Sequence, residues 1–138
     1  MWDKNTERGA NIERRLREEV VIWLTTVNGQ RVPQPSPVWF LWDGTAFLIY
    51  SRPNTPKLRN IARSPGVSLN FDGDREGGEI LIFTGEAAIV NDVPPAHEHP
   101  EYLAKYRDDI AGIGMTPESF AASYSVPIRV IPSSVRSY

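Results

Sequence analysis

Short runs of β-branched and aromatic residues alternate with polar turn signals along most of this chain. Such runs predict strands, because these residues fit a pleated and half-buried surface. Asn28-Gly29 and Asp43-Gly44 each follow a run and are typical of tight hairpin turns, in which Asn, Asp and Gly tolerate positive φ. The predicted strands cover residues 20–27, 30–42, 45–50, 67–71, 80–90 and 126–138.

A helical period replaces this alternation in four places. Ile12 and Leu16 form a narrow apolar stripe in an otherwise charged segment, which predicts a helix over residues 6–19. Further helices are predicted over residues 55–64, 101–110 and 117–124.

Six strands at short spacing, joined mostly by hairpin turns, indicate an antiparallel barrel rather than a doubly wound sheet. At 138 residues the chain is long enough for one hydrophobic core and short for two, so we expect a single domain over residues 1–138. The fold class is therefore mainly β with peripheral helices, one of them N-terminal. Gly85, inside the fifth predicted strand, predicts a bend or bulge.

The predicted strand over residues 30–42 has two unusual halves. Pro33, Pro35 and Pro37 each remove a ladder donor from its first half, which is expected to be an edge, a bulge or an irregular entry. Its second half, residues 38–42, is apolar on both faces, and such a strand is normally covered on both sides. A homodimer interface is the favoured cover, and the N-terminal helix is the alternative.

Composition excludes several classes of function. The chain has no cysteine, which excludes disulfides, thiolate metal sites and a cysteine nucleophile, and suits the cytosol. A formal net charge of -2 gives no electrostatic reason to expect nucleic acid as a partner. No apolar run is long enough to span a bilayer, and the N-terminus lacks the apolar core of a signal peptide. We therefore expect a cytoplasmic protein without a nucleic-acid partner or a membrane span.

The start of the second predicted helix is unusually basic. A helix start carries a partial positive charge and usually attracts acidic residues, but this one has Arg52, Lys57 and Arg59 around it. Thr55 is a suitable N-cap and Pro56 a suitable first helical residue. A bound phosphate, held by backbone N–H groups and these cations, explains the pattern economically. An ordinary helix start with solvated surface cations is the alternative.

Other chemistry is poorly represented. His97-Glu98-His99, with Glu101, could supply metal ligands, but this segment lies in a proline-flanked connector, so we predict no metal site. The chain also lacks a nucleophile elbow and both common glycine-rich phosphate loops. A barrel with one anion site and few acid–base groups suits hydride transfer, in which a bound cofactor carries the chemistry.

Three segments resemble the split β-barrel flavin and deazaflavin oxidoreductases related to pyridoxamine 5'-phosphate oxidase. They are residues 34–40, residues 47–57 and residues 67–71, and the likeness extends over about residues 14–92. Within that family the chain is most similar to the actinobacterial branch that uses the deazaflavin coenzyme F420. The resemblance implies a six-stranded antiparallel split β-barrel of the FMN-binding kind and a homodimer with the cofactor at the subunit interface.

The resemblance also implies roles for individual residues. Positions that grip the cofactor phosphate, or extend the basic surface beside it, are Ser51, Arg52, Thr55, Lys57 and Arg59. Positions that line the cofactor ring are Gln34, Ser36 and Val38, and Arg136 falls where the last strand approaches the site. We also expect Tyr50, with Val38 and Trp39, to form the pocket that holds the ring. No catalytic residue is assigned, and Tyr50, Tyr138 or solvent could supply a proton.

The chain departs from the oxidases of this family at two points. It has Thr55-Pro56-Lys57 where those oxidases have Ser-Arg-Lys, and it lacks a histidine near Arg136 at its C-terminus. Tight flavin mononucleotide binding and pyridoxamine oxidation are therefore disfavoured. The expected function is an F420-dependent reductase that transfers a hydride to a conjugated or unsaturated small molecule. The alternatives are an oxidoreductase with FMN, a carrier of a flavin, deazaflavin or tetrapyrrole, and a structural dimer.

Overall fold

Seven antiparallel strands form one curled sheet in the computed structural model, which describes all 138 residues. Four α-helices and a short 3-10 helix (Ala96–Glu98) lie around the sheet. The elements in chain order are α1 (Glu7–Glu18), β1 (Val21–Val27), β2 (Pro33–Trp39), β3 (Leu41–Trp42), β4 (Phe47–Ser51), α2 (Pro56–Arg63), β5 (Gly66–Asn70), β6 (Leu81–Ile89), α3 (Pro100–Gly112), α4 (Pro117–Ser123) and β7 (Val126–Ser137). The mainly β class, the antiparallel sheet and the peripheral helices are confirmed.

The order of strands explains why the barrel is split. It runs β2-β1-β5-β6-β7-β4-β3, so the two edge strands are consecutive in the chain. The two edge strands, β2 and β3, are joined covalently through Phe40, but no hydrogen-bonded ladder forms between them. The barrel is therefore split at this point. The single strand predicted over residues 30–42 is therefore wrong: it is two strands, because the Phe40 backbone bonds to Tyr106 on α3 instead of to a neighbouring strand.

The first hairpin also differs from its prediction. Val27 pairs with Pro33, so the connection is a five-residue loop rather than a two-residue turn at Asn28-Gly29. The Asn28 side chain organises this loop by accepting hydrogen bonds from the backbone N–H groups of Gln30 and Val32, each at 2.9 Å. Arg31, at φ 65, takes the left-handed conformation that the sequence pattern had assigned to the Asn-Gly pair.

Two predicted irregularities in the strands are confirmed. The prolines of β2 lie on an edge strand whose only ladder partner is β1, so their missing N–H groups can fall on the open side. The ladder between β6 and β7 shifts register between Thr84 and Gly85. A Cβ at Gly85 would lie directly against the carbonyl oxygen of Ile131, so the close approach of the two strands requires glycine there.

The apolar segment over residues 38–42 is covered within the chain. Trp42 packs on the main core cluster, to which α1 contributes Ile12 and Leu16, and its ring lies 5.8 Å from that of Trp2. Trp39 points to a second cluster, formed with α3 and α4, where its ring stacks on Tyr106 at 4.9 Å. The N-terminal region and helices α3 and α4 thus supply the cover for which a second subunit is the favoured prediction.

The predicted helices are confirmed with small shifts of their ends. The Thr6 side chain accepts a hydrogen bond from the Gly9 N–H at 3.0 Å and caps α1. None of the helices is long and apolar enough to cross a bilayer.

Candidate functional site

A cleft of about 450 Å³ opens where β2, the end of β4, the start of α2 and the helices α3 and α4 meet. Most of its lining residues are hydrophobic, and the polar ones lie together at the start of α2. Six of the residues assigned to cofactor binding line it: Val38, Tyr50, Ser51, Arg52, Thr55 and Lys57. The structure therefore brings together residues from both predicted halves of the site, two of the ring positions and four of the phosphate positions.

Lys57 is the cation set deepest in this cleft. Its side chain is half-buried, and burial lowers the pKa of its ammonium group. No carboxylate lies within salt-bridge distance of Lys57, Arg52 or Arg59, since all five ion pairs of the protein involve other residues. A partly desolvated cation without a counterion is the arrangement expected of an anion-binding position.

The start of α2 keeps its positive end uncompensated. Thr55 occupies the N-cap position, but its side chain makes no capping hydrogen bond and instead lies 3.3 Å from the Ser51 hydroxyl. That hydroxyl donates to the carbonyl of Arg52 at 2.8 Å. Pro56 occupies the first turn as predicted, and no acidic residue lies in that turn. The partial charge of the helix start and the Lys57 charge therefore act on the same region of the cleft.

Arg52 is held at the rim of the cleft by an aromatic ring. Its guanidinium carbon lies 4.6 Å from the centre of the Tyr124 ring, at the end of α4. This cation–π contact fixes an otherwise exposed cation beside Lys57.

Three stacked aromatic rings form one wall of the cleft, those of Trp39, Phe120 and Tyr124, and Tyr106 extends the stack without lining the cleft. Tyr106 stacks on Trp39 at 4.9 Å, Trp39 on Phe120 at 5.5 Å, and Phe120 on Tyr124 at 4.5 Å, with interplanar angles of 20° or less. The contribution of α3 and α4 to the site was missed in the sequence. The signal that could have found it is the spacing of four between Tyr102 and Tyr106 and between Phe120 and Tyr124, which places each pair on one helix face.

Neither tyrosine considered as a proton donor is well placed for that role. The Tyr50 hydroxyl donates to the carbonyl of Pro94 at 2.6 Å, and burial raises its pKa to about 12. Tyr138 lies at the exposed end of the chain, where its backbone pairs with Ile80, away from the cleft.

Four of the predicted cofactor-binding residues do not line the cleft of this chain. Gln34 accepts a hydrogen bond from the Asn60 side chain at 2.8 Å, and Ser36 lies opposite Leu24 in the β1–β2 ladder. Arg59 donates to the carbonyl of Asn54 at 3.1 Å. Arg136 is exposed and lies opposite Ile82 in the β6–β7 ladder, far along β7 from the cleft.

The two histidines of the predicted metal-ligand segment make contacts within the fold. The Nδ1 atom of His99 accepts a hydrogen bond from the Tyr102 N–H at 3.3 Å and caps α3. His97 lies 3.9 Å from Glu98. Nowhere in the protein do three or more histidine and carboxylate side chains come close enough to hold a metal ion.

Comparison with known families gives a match over nearly the whole chain. The family model described as pyridoxamine 5'-phosphate oxidase matches residues 9–136. No curated protein matches the chain by sequence.

Solved structures of the same architecture span several kinds of protein. A protein described as an F420 reductase is 27% identical, with 90% of this chain and 94% of that chain covered and a TM-score of 0.68. A conserved hypothetical protein from Mycobacterium tuberculosis is 22% identical, with 96% and 84% covered and a TM-score of 0.73. The heme storage protein HutZ from Vibrio cholerae is 16% identical, with 93% and 92% covered and a TM-score of 0.65. The last two likenesses show the fold alone.

Proposed function

The chain belongs to the pyridoxamine 5'-phosphate oxidase family, and from this premise we propose that it is an F420-dependent reductase that transfers a hydride to a conjugated or unsaturated small molecule. The observation that carries the proposal is Lys57, a half-buried cation without a carboxylate partner at one end of an apolar cleft. The 27% identity to a protein described as an F420 reductase, over most of both chains, supports the choice of cofactor.

The basic end of the cleft fits the phosphate of such a cofactor. Lys57 and Arg52 would neutralise the phosphate, and the start of α2 adds its partial positive charge. Thr55 and Ser51 place hydroxyl groups beside it. The acidic tail of the coenzyme would extend over nearby basic surface, including Arg59.

The apolar end fits a planar ring. Pro37, Val38 and Trp39 of β2 line it on one side and Tyr50 of β4 on another. A volume of about 450 Å³ is within the range of small-molecule sites. These residues would orient the ring and exclude water from it, which is the protein's main task when a cofactor carries the chemistry.

When bound, reduced F420 supplies a hydride, that is two electrons and one proton, and is itself oxidised. The acceptor needs one further proton, and we assign it to solvent because the Tyr50 hydroxyl is engaged with the Pro94 carbonyl and Tyr138 does not line the cleft. The chain's residues therefore act by binding, orienting and excluding water rather than by acid–base catalysis.

A homodimer would complete the site. The cleft is open at Val21, which is 38% exposed, and the neighbouring Val20 is 40% exposed, so an apolar rim remains for a second subunit. Three of the predicted cofactor-binding residues do not line the cleft of their own chain and would reach a cofactor only across such an interface. They are Gln34, Ser36 and Arg136.

Flavin mononucleotide is the second candidate cofactor, because its phosphate and ring would use the same two ends of the cleft. A tetrapyrrole carrier is less well supported, since no histidine lines the cleft to ligate a haem iron.

Titration of the purified protein with F420 and, separately, with FMN, followed by ligand fluorescence, tests the proposal. Tighter binding of F420, followed by oxidation of reduced F420 in the presence of an enone or quinone, is the expected result. Tighter binding of FMN would move the protein to the flavin enzymes. Binding of F420 without turnover of any acceptor would indicate a carrier, and binding of neither cofactor would overturn the proposal.

A further inference from the structure

The hydroxyl group of Tyr102 has no hydrogen-bond partner, although its residue is fully buried and lines the floor of the cleft. Buried polar groups are nearly always paired, and an unpaired one costs free energy that a bound group can recover. Trp42 Nε1 and His97 Nδ1 are also buried without partners, but neither residue lines the cleft. Tyr102 is thus the one unpaired buried polar side chain that the cleft contains.

The neighbouring tyrosines show that pairing is the rule in this cluster. The Tyr102 ring contacts Tyr50 edge-on and Tyr106 at a tilt, both at 4.9 Å between ring centres. The Tyr50 hydroxyl donates to Pro94, and the Tyr106 hydroxyl lies within 2.9 Å of the Phe40 backbone and 2.6 Å of the Val20 carbonyl. Two of the three hydroxyls are therefore engaged inside the protein, and the third has no partner.

The surroundings define what this hydroxyl can recognise. Burial, together with its tyrosine neighbours, raises the pKa of Tyr102, so the group stays protonated and acts as a neutral donor. A neutral donor in an apolar environment suits an uncharged acceptor such as a carbonyl oxygen rather than an unpaired charge. Trp39 lines the cleft beside it and is partly exposed, and because Tyr106 and Phe120 stack on its ring, it offers a flat molecule mainly its aromatic edge.

We propose that the Tyr102 hydroxyl donates a hydrogen bond to a carbonyl oxygen on a planar aromatic ligand and selects such ligands over hydrocarbons of the same shape. The inference rests on the proposed function in that it uses the same cleft. The carbonyl could belong to the ring of the cofactor or to the acceptor substrate, and the chemistry is the same in both cases.

A matched pair of probes tests the selection. 9-Fluorenone and fluorene share a flat three-ring frame and differ in one carbonyl group. We expect the wild-type protein to bind 9-fluorenone about tenfold more tightly than fluorene, as one recovered buried hydrogen bond predicts. Tyr102→Phe should bring this ratio close to one. Tyr106→Phe is the control, because its hydroxyl is already paired and does not line the cleft.

Thermal unfolding separates recognition from a structural role. Tyr102→Phe removes a hydroxyl without a partner, so the variant should unfold at the same temperature as the wild type or higher. Tyr106→Phe leaves two backbone groups unpaired and should unfold at a lower temperature. A wild-type protein that binds the two probes equally or not at all, or a Tyr102→Phe variant that keeps the preference, would overturn the inference.

Two further titrations locate the carbonyl. Weaker binding of F420 to Tyr102→Phe would assign it to the cofactor, whereas weaker binding of 9-fluorenone only, in protein saturated with F420, would assign it to the substrate. A wild-type protein that binds neither F420 nor FMN but prefers 9-fluorenone through Tyr102 would contradict the proposed function and support this inference, so the two can fail separately.

Discussion

The Tyr106 hydroxyl lies 2.9 Å from both the amide nitrogen and the carbonyl oxygen of Phe40, the residue at which the chain leaves β2 and enters β3. It also lies 2.6 Å from the Val20 carbonyl, at the start of β1. Phe40 lies where the chain passes from one edge strand of the sheet to the other, so no neighbouring strand pairs with its backbone N–H and carbonyl groups. These groups need a hydrogen-bond partner from elsewhere. Helix α3 supplies that partner, and the corner that closes the barrel depends on it.

Tyr106→Phe should therefore lower the free energy of unfolding by about 1–3 kcal/mol, since the Phe40 N–H and the Val20 carbonyl lose a buried partner. Urea denaturation measures the change. Tyr102→Phe, which removes a hydroxyl without a partner from the same cluster, is the matched comparison. Equal stability of Tyr106→Phe and the wild type would show that the corner holds without the Tyr106 hydroxyl.

Gly85 should tolerate a side chain poorly. Its Cβ would meet the carbonyl oxygen of Ile131 and would lie 2.9 Å from the Cα of Pro132, both rigid backbone atoms. Gly85→Ala should destabilise the protein by about 3 kcal/mol, at the upper end of ordinary overpacking. Gly66→Ala is the control, because nothing lies within 4 Å of its Cβ position and its strand conformation accepts alanine. A similar effect of the two substitutions on thermal unfolding would contradict the close approach at the bulge.

Local signals explain why the fold was predictable from the sequence. The stripe of Ile12 and Leu16, the Thr55-Pro56 helix start and the Gly85 bulge each depend on a few neighbouring residues, and the structure has all three. The break at Phe40 depends on Tyr106, 66 residues away, and no local pattern could reveal it.

The same distinction applies to the candidate site. Lys57, Arg52 and Tyr50 lie in one continuous segment, so the pattern of that segment was enough to group them. The aromatic wall is built from Trp39 on β2 and from residues of α3 and α4, which meet only through the packing of those helices on the sheet. The contact between Arg52 and Tyr124 could not be deduced from the sequence either, because it also depends on that packing.

Lys105 should make the stability of the protein depend on pH. Burial lowers its pKa to about 8, while its ammonium donates to the Phe40 carbonyl at 2.9 Å. Because the pKa is lower in the folded state, the penalty for burying the charge is fully present below about pH 8. This penalty decreases as the pH rises further, toward the higher pKa that Lys105 has in the unfolded chain.

The difference in unfolding free energy between the wild type and Lys105→Met isolates this effect, because the tyrosines contribute equally to both. That difference should move in favour of the wild type from pH 8 to pH 10 and stay constant from pH 6 to pH 7.5. A difference that does not change with pH would contradict the lowered pKa.

Tyr124 should act as a positioning residue for Arg52. The cation–π contact at 4.6 Å needs the aromatic face and not the hydroxyl. Tyr124→Leu should weaken F420 binding by about twofold to fivefold, which corresponds to the 0.5–1 kcal/mol of an exposed cation–π contact. Tyr124→Phe should restore wild-type affinity. In an Arg52→Met background Tyr124→Leu should have little further effect, and additive losses in this double-mutant cycle would show that the two residues act independently.

Lys57 should contribute the largest single share of cofactor affinity. Its ammonium is half-buried and unpaired, so a phosphate gains a charge-assisted hydrogen bond without breaking an existing ion pair. Lys57→Ala should weaken F420 binding by about 1.5–3 kcal/mol, the usual range for a hydrogen bond to a charged group. Arg63→Ala, at the other end of α2, is the control for a general loss of positive charge on this helix.

The pH dependence of binding gives Lys57 a second test. Burial lowers the pKa of the free ammonium, and a bound anion stabilises its charged form, so binding is coupled to protonation. F420 affinity in the wild type should therefore fall as the pH rises through that lowered pKa, and it should fall less steeply in Lys57→Ala. Fluorescence titrations at a series of alkaline pH values measure both curves. Parallel curves, or an unchanged affinity in Lys57→Ala while the fold persists, would place the phosphate elsewhere.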